Sequence, residues 1–309
     1  MRSVLGIGVK AITAIAVAFV LVQSAFAHPG TGIVVDDAGN VYFAHTGACI
    51  WKVDTQGKLT RREGPAYHYM IEDGKGAFIG QRWPHFADGV IEVMGTKPTL
   101  LCGSSFPITI GSDGTLYYAD FASTAPVHVM RLEPQGRPTD FATLPIAMEI
   151  SFEGKPIEAQ WIHGLAAGPD GNLYYAEKDS VRRIDSKGVV STVAEKIVVP
   201  DCVHPAAVPD DRGGPVLRNL DVAADGTIYV AAAGCSAVLR ITQTGEVSVA
   251  LQAADNWSPM GVDVKGDDVY VLEFLYIDVQ EREEWLPRVR KVSKDGTVTT
   301  LATITEVPK

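Results

Sequence analysis

Histidine and acidic side chains recur near the ends of short β-rich segments. Such groups can hold a divalent metal ion, move protons or bind a polar substrate, because imidazoles and carboxylates are metal ligands as well as acids and bases. Glu177 and Glu273 are the candidate catalytic residues, and His163, Asn219 and His68 are the candidate metal ligands. The candidate substrate-binding residues are His45, His85, Asp120 and His204.

A hairpin pattern that repeats along the chain must position these side chains. Residues 33–44 (IVVDDAGNVYFA) form one copy, in which a short alternating strand, an Asp/Gly turn and a second strand follow one another. A second hairpin stands behind several copies, as in residues 181–190 (VRRIDSKGVV). Further copies of the first hairpin lie at 108–119, 165–176 and 220–231, with weaker copies at 69–80 and 262–272.

Four strands per unit and six units predict an all-β fold, a six-bladed β-propeller of four-stranded antiparallel blades around a central channel. The average unit of about 47 residues has the length of one blade. A pair of β-sandwiches is the alternative, but independent sandwiches would not repeat one hairpin in register six times. Residues 28–309 are therefore expected to form a single domain, with an insertion at about 195–218.

In such a propeller the starts of the inner strands and the ends of the second strands meet on one face, opposite the Asp/Gly turns. His68, His163 and the neighbours Arg218 and Asn219 lie at inner-strand starts, whereas Glu177 and Glu273 end second strands. We therefore expect these side chains at the mouth of the channel. The acids, Asp120 included, have a structural alternative, which is pairing with an arginine of the next strand. The arginines concerned are Arg131, Arg183 and Arg290.

The pattern GLAAGPDGNLYYA at 164–176, followed by VRRI at 181–184, resembles the NHL repeat. It is similar to the gluconolactonase and senescence marker protein family, to virginiamycin B lyase and to the amidating lyases, over nearly the whole chain after residue 27. The resemblance implies a divalent metal ion, either zinc, calcium or manganese, which gluconolactonases hold with Glu, Asn and Asp and amidating lyases hold with histidines. Here His163-Gly164-Leu165 matches the Asn-Gly element of that site, Asn219 has a similar place one blade later, and Gly30-Thr31-Gly32 stands where the Glu is expected.

The leading hypothesis is an exported metal-dependent hydrolase, resembling lactonases, that acts on a small polar lactone or ester at the channel mouth. One alternative is a lyase that uses the same metal site. The other is a non-catalytic propeller that binds a sugar, a peptide or a protein partner. The sequence contains no Gly-x-Ser-x-Gly elbow, phosphate loop, dinucleotide fingerprint or Cys-x-x-Cys pair, so those chemistries lose their usual support.

Composition and the N-terminus narrow the partners and the compartment. The 309 residues carry a net charge of -10 and no cluster of Lys and Arg, so a nucleic-acid partner is not expected. The expected partner is a small molecule bound at the channel mouth. Residues 1–27 have a basic start, a short apolar stretch and an Ala25-Phe26-Ala27 cleavage site, which together predict a signal peptide. The apolar stretch is too short to span a bilayer, although an uncleaved anchor is the alternative. We expect a periplasmic or secreted protein with no membrane association after cleavage.

Export makes disulfides available to Cys49, Cys102, Cys202 and Cys235, in any of three connectivities. We favour a bridge from Cys202 to Cys235, because both are expected on the mouth face of the fifth blade. Such a bridge would hold the insertion over the channel. A bridge between Cys49 and Cys102 is the second candidate.

Overall fold

The computed structural model describes residues 29–46, 48–63, 68–78, 90–93, 99–103, 106–120, 126–145, 148–152, 155–159, 162–204, 214–254, 256–275 and 285–306. The predicted signal peptide, residues 1–27, and His85 lie outside these ranges. Within them the chain is all-β apart from one 3₁₀ turn, η1 (Ala233–Cys235). No helix in the described ranges has the length and apolarity that crossing a membrane would require.

The strands form six sheets, numbered here along the chain, and a separate hairpin. Sheet 1 contains β1 (Ile33–Val35), β2 (Val41–His45), β3 (Cys49–Val53) and β4 (Leu59–Glu63). Sheet 2 contains β5 (Tyr69–Glu72), β6 (Val90–Val93) and β7 (Thr99–Gly103). Sheet 3 contains β8 (Ile108–Ile110), β9 (Leu116–Asp120), β10 (His128–Leu132) and β11 (Thr139–Thr143).

The hairpin of β12 (Met148–Phe152) and β13 (Lys155–Ala159) separates sheets 3 and 4 in the sequence. Sheet 4 contains β14 (Ile162–Ala167), β15 (Leu173–Glu177), β16 (Ser180–Ile184) and β17 (Val190–Ala194). Sheet 5 contains β18 (Leu217–Val222), β19 (Ile228–Ala232), β20 (Ala237–Ile241) and β21 (Val247–Gln252). Sheet 6 contains β22 (Trp257–Lys265), β23 (Asp268–Leu275), β24 (Pro287–Val292) and β25 (Val298–Thr303).

The first strand of every sheet lies on the inside of the molecule. In order around the molecule, β1, β5, β8, β14, β18 and β22 each contact the next, and β22 contacts β1 again. Six antiparallel sheets whose inner strands close a ring form a β-propeller. The predicted propeller of four-stranded antiparallel blades is thus confirmed in five sheets, and three strands of sheet 2 are described.

The Asp/Gly turns close the first hairpins as the sequence predicts. In sheet 1, Gly39 has a φ of 83°, and its N–H donates to the carbonyl oxygen of Asp36 over 2.9 Å. The Asp36 carboxylate accepts the N–H of Asn40 over 2.8 Å, so a side-chain hydrogen bond stabilises the turn as well. Glycine suits this position because it enters the left-handed region without steric cost. The equivalent glycines with positive φ are Gly114, Gly171 and Gly226.

Sheet 2 differs from the other sheets in its pairing. Here β5 pairs with β7, with Tyr69 opposite Gly103. After β5, the Asp73 carboxylate accepts the N–H of Phe78 over 2.9 Å, and the Asp73 carbonyl accepts the N–H of Gly76. Residues 73–78 form a turn, with the Phe78 side chain fully buried. The weaker hairpin copy was predicted over 69–80, and its last two residues lie outside the described ranges.

The apolar core lies between neighbouring sheets. Adjacent residues on a strand point to opposite faces, so the paired aromatics of the repeat serve both neighbours of a sheet. Tyr174 packs with Leu220 of sheet 5, whereas Tyr175 packs with Val129 of sheet 3. The tyrosine pair of sheet 4 therefore packs against the blades on both of its sides.

The predicted bridge between Cys202 and Cys235 is confirmed, and the second candidate, between Cys49 and Cys102, is wrong. Cys202 and Cys235 are bridged. Cys49 and Cys102 are both buried and are not disulfide-bonded. Cys102 packs in the same cluster as Ile50, and a strand directs neighbouring residues such as Cys49 and Ile50 to opposite faces.

Candidate functional site

Three consecutive inner strands depart from regular pairing at the end where the mouth residues were predicted. The register shifts between Ile162 and Gly164 in β14, and at the corresponding places in β18 and β22. A β-bulge leaves residues unpaired and re-aims their side chains, and bulges are frequent next to active sites. The residues within these three irregularities are His163, Arg218, Asn219 and Met260.

The bulges of β14 and β18 bring an imidazole and a guanidinium together. Nη1 of Arg218 lies 3.1 Å from Nδ1 and 3.3 Å from Nε2 of His163. Both side chains are half-buried. The sequence placed both residues at inner-strand starts, but it gave no sign that they touch, because the contact depends on two bulges in different sheets. We call His163 and Arg218 the mouth pair.

Tyr69, at the start of β5, extends this site across the channel. It is buried and lines the channel cavity. Burial raises the pKa of Tyr69 to about 12, while the positive charge of Arg218 acts in the opposite direction. The phenol therefore stays protonated at neutral pH and lies within the electrostatic reach of the mouth pair.

The preceding residue, His68, is fixed through its backbone. Its carbonyl oxygen accepts the N–H of Thr31 over 2.7 Å and the Thr31 hydroxyl over 3.0 Å. Thr31 lies just before β1, so these bonds join the inner edges of sheets 1 and 2. The structure thus places His68 at the inner-strand start that the sequence predicted, next to Tyr69.

The candidate metal ligands do not form a donor set that suits a divalent metal ion. The Arg218 guanidinium lies beside both ring nitrogens of His163, and a second cation there would be repelled. The Asn219 side-chain oxygen accepts the N–H of Val262 over 2.9 Å, which uses it to join β18 to β22. Among the described residues, no group of three His, Cys, Asp or Glu side chains is arranged to hold a metal.

Glu273, one of the two candidate catalytic acids, is held in a buried ion-pair network. Nε of Arg288 and Nε of Arg290 each lie 2.7 Å from its Oε2. The Arg290 pairing is the one that the structural alternative predicted. The Arg288 guanidinium also stacks 4.1 Å from the ring centre of Trp257. Glu273 thereby ties β23 to β24.

Glu177 is buried as well, with one arginine partner. Nε of Arg182 donates to its Oε1 over 2.7 Å, whereas the predicted partner Arg183 lies next to Ser191 instead. Its second oxygen, Oε2, is buried and accepts no hydrogen bond from the described residues. Tyr175, two residues earlier on the same strand face, has a buried hydroxyl, and burial together with the Glu177 charge raises its pKa.

The candidate substrate-binding residues are spread over the fold. His45 is fully buried at the end of β2, with Trp51 Nε1 3.4 Å from its Nδ1. Asp120 ends β9 opposite His128 in the register. His204 is exposed, and its Nε2 lies 3.6 Å from the sulfur of Cys202.

Two carboxylates of the channel, Asp221 and Asp263, were not predicted from the sequence. The channel encloses a cavity of about 60 Å³, lined by residues of all six inner strands. Asp221 accepts the N–H of Val264 over 2.8 Å, and Asp263 accepts the N–H of Val35 over 2.7 Å. Burial raises the pKa of Asp221 to about 6, and burial followed by the Asp221 charge raises that of Asp263 well above its ordinary value. The signal was an Asp at the same point of two inner strands, β18 and β22.

No protein-family model and no curated protein matches the sequence. Solved structures match it in fold. A streptogramin B lyase is 16% identical, with a TM-score of 0.51 over 89% of this chain and 83% of its own. A luciferin-regenerating enzyme is 13% identical, with a TM-score of 0.55 over 90% and 94%. A calcium-binding regucalcin from Agrobacterium tumefaciens is 12% identical, with a TM-score of 0.50 over 79% and 81%.

These matches confirm the expected resemblance at the level of fold. They include a lyase, and lyase propellers are among those to which the repeated hairpin was similar. The chain therefore shares the propeller architecture of that group.

Proposed function

We propose that the protein is an exported propeller enzyme, a hydrolase or a lyase, that acts on a small polar lactone or ester at the mouth of its channel. The observation that carries the proposal is the mouth pair, in which His163 and Arg218 from neighbouring inner strands lie 3.1 Å apart at bulged positions. A structural role alone does not require a bulge at each of the two residues.

The mouth pair supplies two complementary chemical functions. The Arg218 guanidinium can bind the carbonyl oxygen of an ester and stabilise the negative charge that develops there. His163 can accept a proton, either from an attacking water or from the carbon atom β to the ester oxygen on the alcohol side. In the second case a C=C bond forms while the C–O bond of the alcohol side breaks, and the carboxylate leaves. The first proton transfer leads to hydrolysis and the second to elimination, so the same pair supports either class.

Arg218 takes the role predicted for a divalent metal ion. The donor atoms around His163 and Asn219 do not suit a metal, whereas a fixed guanidinium already provides a positive charge at the mouth. Tyr69 adds a protonated hydroxyl within the reach of that charge. The fold shared with a streptogramin B lyase agrees with a small-molecule enzyme of this architecture.

The test is turnover of a panel of lactones and esters by the protein comprising residues 28–309, followed by mass spectrometry. Addition of one water to the substrate identifies hydrolysis, and conversion without added water identifies elimination. His163→Asn and Arg218→Gln are each expected to lower kcat/KM by about 100-fold or more.

Two matched variants serve as controls. His128 and Arg240 lie on β10 and β20, away from the inner strands, so His128→Asn and Arg240→Gln should retain full activity. Unchanged turnover in both mouth variants would refute the proposal. Ligand binding without turnover, lost in the same two variants, would refute the enzymatic part and favour the binding propeller.

A further inference from the structure

The connection between β17 and β18 leads directly into the mouth pair. We call its described residues, 195–204 and 214–216, the entry segment. Two residues after its end comes Arg218, the second residue of β18. The position of the Arg218 backbone is therefore set by how the entry segment is held.

The first set of anchors ties the connection to sheet 4. The N–H of Ile197 donates to the carbonyl of Asp179 over 3.0 Å. The N–H of Leu217 donates to the carbonyl of Lys178 over 2.9 Å. Both acceptors lie in the turn between β15 and β16. Both ends of the connection are therefore hydrogen-bonded to that one turn.

The second set of anchors ties the connection to η1 of sheet 5. The N–H of Gly234 donates to the carbonyl of Pro215 over 2.9 Å, and the N–H of Ala233 donates to that of Val216 over 3.2 Å. Cys235, the last residue of η1, carries the disulfide to Cys202. The turn η1 thus holds the first arm of the entry segment, residues 195–204, through the disulfide. It holds the second arm, residues 214–216, through backbone hydrogen bonds.

Backbone strain is concentrated in the same region. Seven non-glycine residues in the described chain have positive φ, and five of them lie in the entry segment or in the turns that hold it. Val216, at φ 43°, is β-branched, for which the left-handed region is especially unfavourable. Such conformations persist only where the surroundings enforce them. The five residues are Lys178, Lys196, Asp201, Val216 and Ser236.

We propose that the Cys202–Cys235 disulfide is a redox-sensitive device that positions Arg218 against His163. The oxidised disulfide keeps η1 and the entry segment in their strained arrangement, and this arrangement places Arg218 beside His163. Reduction releases the first arm, the strain at Val216 relaxes, and Arg218 moves away from His163. This inference rests on the proposed function only where it concerns activity, because the movement itself can be measured without substrate.

The redox step is an ordinary thiol–disulfide exchange with a dithiol reductant. A thiolate of the dithiol attacks the sulfur of Cys202, which is partly exposed, and the buried Cys235 sulfur leaves as a thiolate that takes up a proton. The second thiol of the reductant then displaces Cys202, which takes up the second proton. The dithiol loses two electrons and is oxidised to a disulfide, and the protein disulfide gains these electrons and is reduced to two thiols.

The primary experiment is hydrogen exchange followed by mass spectrometry on oxidised protein, on protein reduced with dithiothreitol and on the Cys202→Ser/Cys235→Ser double variant. Amides of residues 214–222 are expected to exchange at least about 10-fold faster in the reduced protein and in the double variant than in the oxidised protein. Residues 41–53 in sheet 1 serve as the internal standard and should be unchanged. Dithiothreitol should have no further effect on the double variant.

The second readout follows the mouth pair itself. The ring signals of His163 in a histidine-labelled sample, assigned by their loss in His163→Asn, should change chemical shift on reduction. Those of His128 on β10 should not move.

Two results would overturn the proposal. Faster exchange confined to residues 196–204 and 233–236, with unchanged His163 signals, would make the disulfide a purely local tether. Equally faster exchange at residues 41–53 would make it a global stabiliser. A redox response at the mouth without any turnover in the substrate panel would uphold this inference while refuting the proposed function.

Discussion

Glu177 ends the second strand of sheet 4 and Glu273 lies two residues before the end of the second strand of sheet 6, but their surroundings differ in charge. Glu273 is fully buried between Arg288 and Arg290, whereas Glu177 pairs with one arginine of the described ranges, Arg182. Glu273→Gln is expected to lower the free energy of unfolding by about 3–5 kcal/mol, because it leaves two buried cations without their anion. Glu177→Gln should cost about 1–3 kcal/mol, since one arginine loses a charged partner. Urea denaturation measures both values.

The matched control for these two variants is Glu133→Gln. Glu133 pairs with Arg131 at an exposed position, so its removal should change stability by less than about 1 kcal/mol. If Glu273→Gln kept its stability and lost turnover, the catalytic interpretation of Glu273 would be restored.

At this scale the sequence predicted positions better than partners. It placed His163 and Arg218 at inner-strand starts, and it identified Arg290 as an alternative partner for Glu273. It did not predict that Arg218 approaches His163, because that contact spans two sheets and needs a bulge in each. Asp221 was missed since its role comes from the backbone N–H of a neighbouring blade, which no local pattern shows.

Among the elements, the bulged inner strands depend on glycine for their close approach. A Cβ at Gly164 would lie 2.8 Å from the carbonyl oxygen of Arg218 and 2.8 Å from the Cα of Asn219, both backbone atoms. Gly164→Ala should therefore push β14 and β18 apart, lower stability by about 1–3 kcal/mol and reduce any activity of the mouth pair. Thermal unfolding and turnover measure the two effects.

Gly74→Ala is the control for this element. Nothing lies within 4 Å of a Cβ there, and the residue does not have a positive φ, so stability and activity should be unchanged. Equal behaviour of the two variants would show that β14 and β18 do not need to approach this closely.

The hairpins were predictable because their turn chemistry is local. Gly39 and Asp36 define the turn of sheet 1 within five residues, and the same signal recurs in sheets 3, 4 and 5. In sheet 2, β5 takes β7 as its partner, across a longer stretch of sequence. Pairing over that sequence distance is decided by tertiary packing.

At the scale of the whole molecule, side chains of inner strands join several pairs of neighbouring blades. Thr109 accepts the N–H of Ala167, Asn219 that of Val262, and Asp263 that of Val35. The last of these bonds connects sheet 6 to sheet 1, which are the ends of the described chain, and so closes the ring. Six repeats predicted a closed ring, but not that a buried carboxylate would close it.

That closure makes stability depend on pH. The pKa of Asp221 is raised to about 6 by burial, and the pKa of Asp263 is raised by burial and by the Asp221 charge. The folded protein thus binds more protons than the unfolded chain between pH of about 4 and 6. The contribution of these two groups to stability is therefore fully present below the unfolded pKa and is lost as the pH rises through the folded one.

Asp263→Asn isolates this effect, because the amide oxygen can still accept the N–H of Val35 while the charge is removed. The variant should melt roughly 2–4 °C higher than the wild type at pH 8, with a smaller difference at pH 4.5. Asp185→Asn is the opposite control, since hydrogen bonds from Val189 and Lys187 lower the pKa of Asp185 and its charge is favourable. That control should melt no higher than the wild type at pH 8. A lower melting temperature for Asp263→Asn at pH 8 would mean that the charged carboxylate is needed to close the ring.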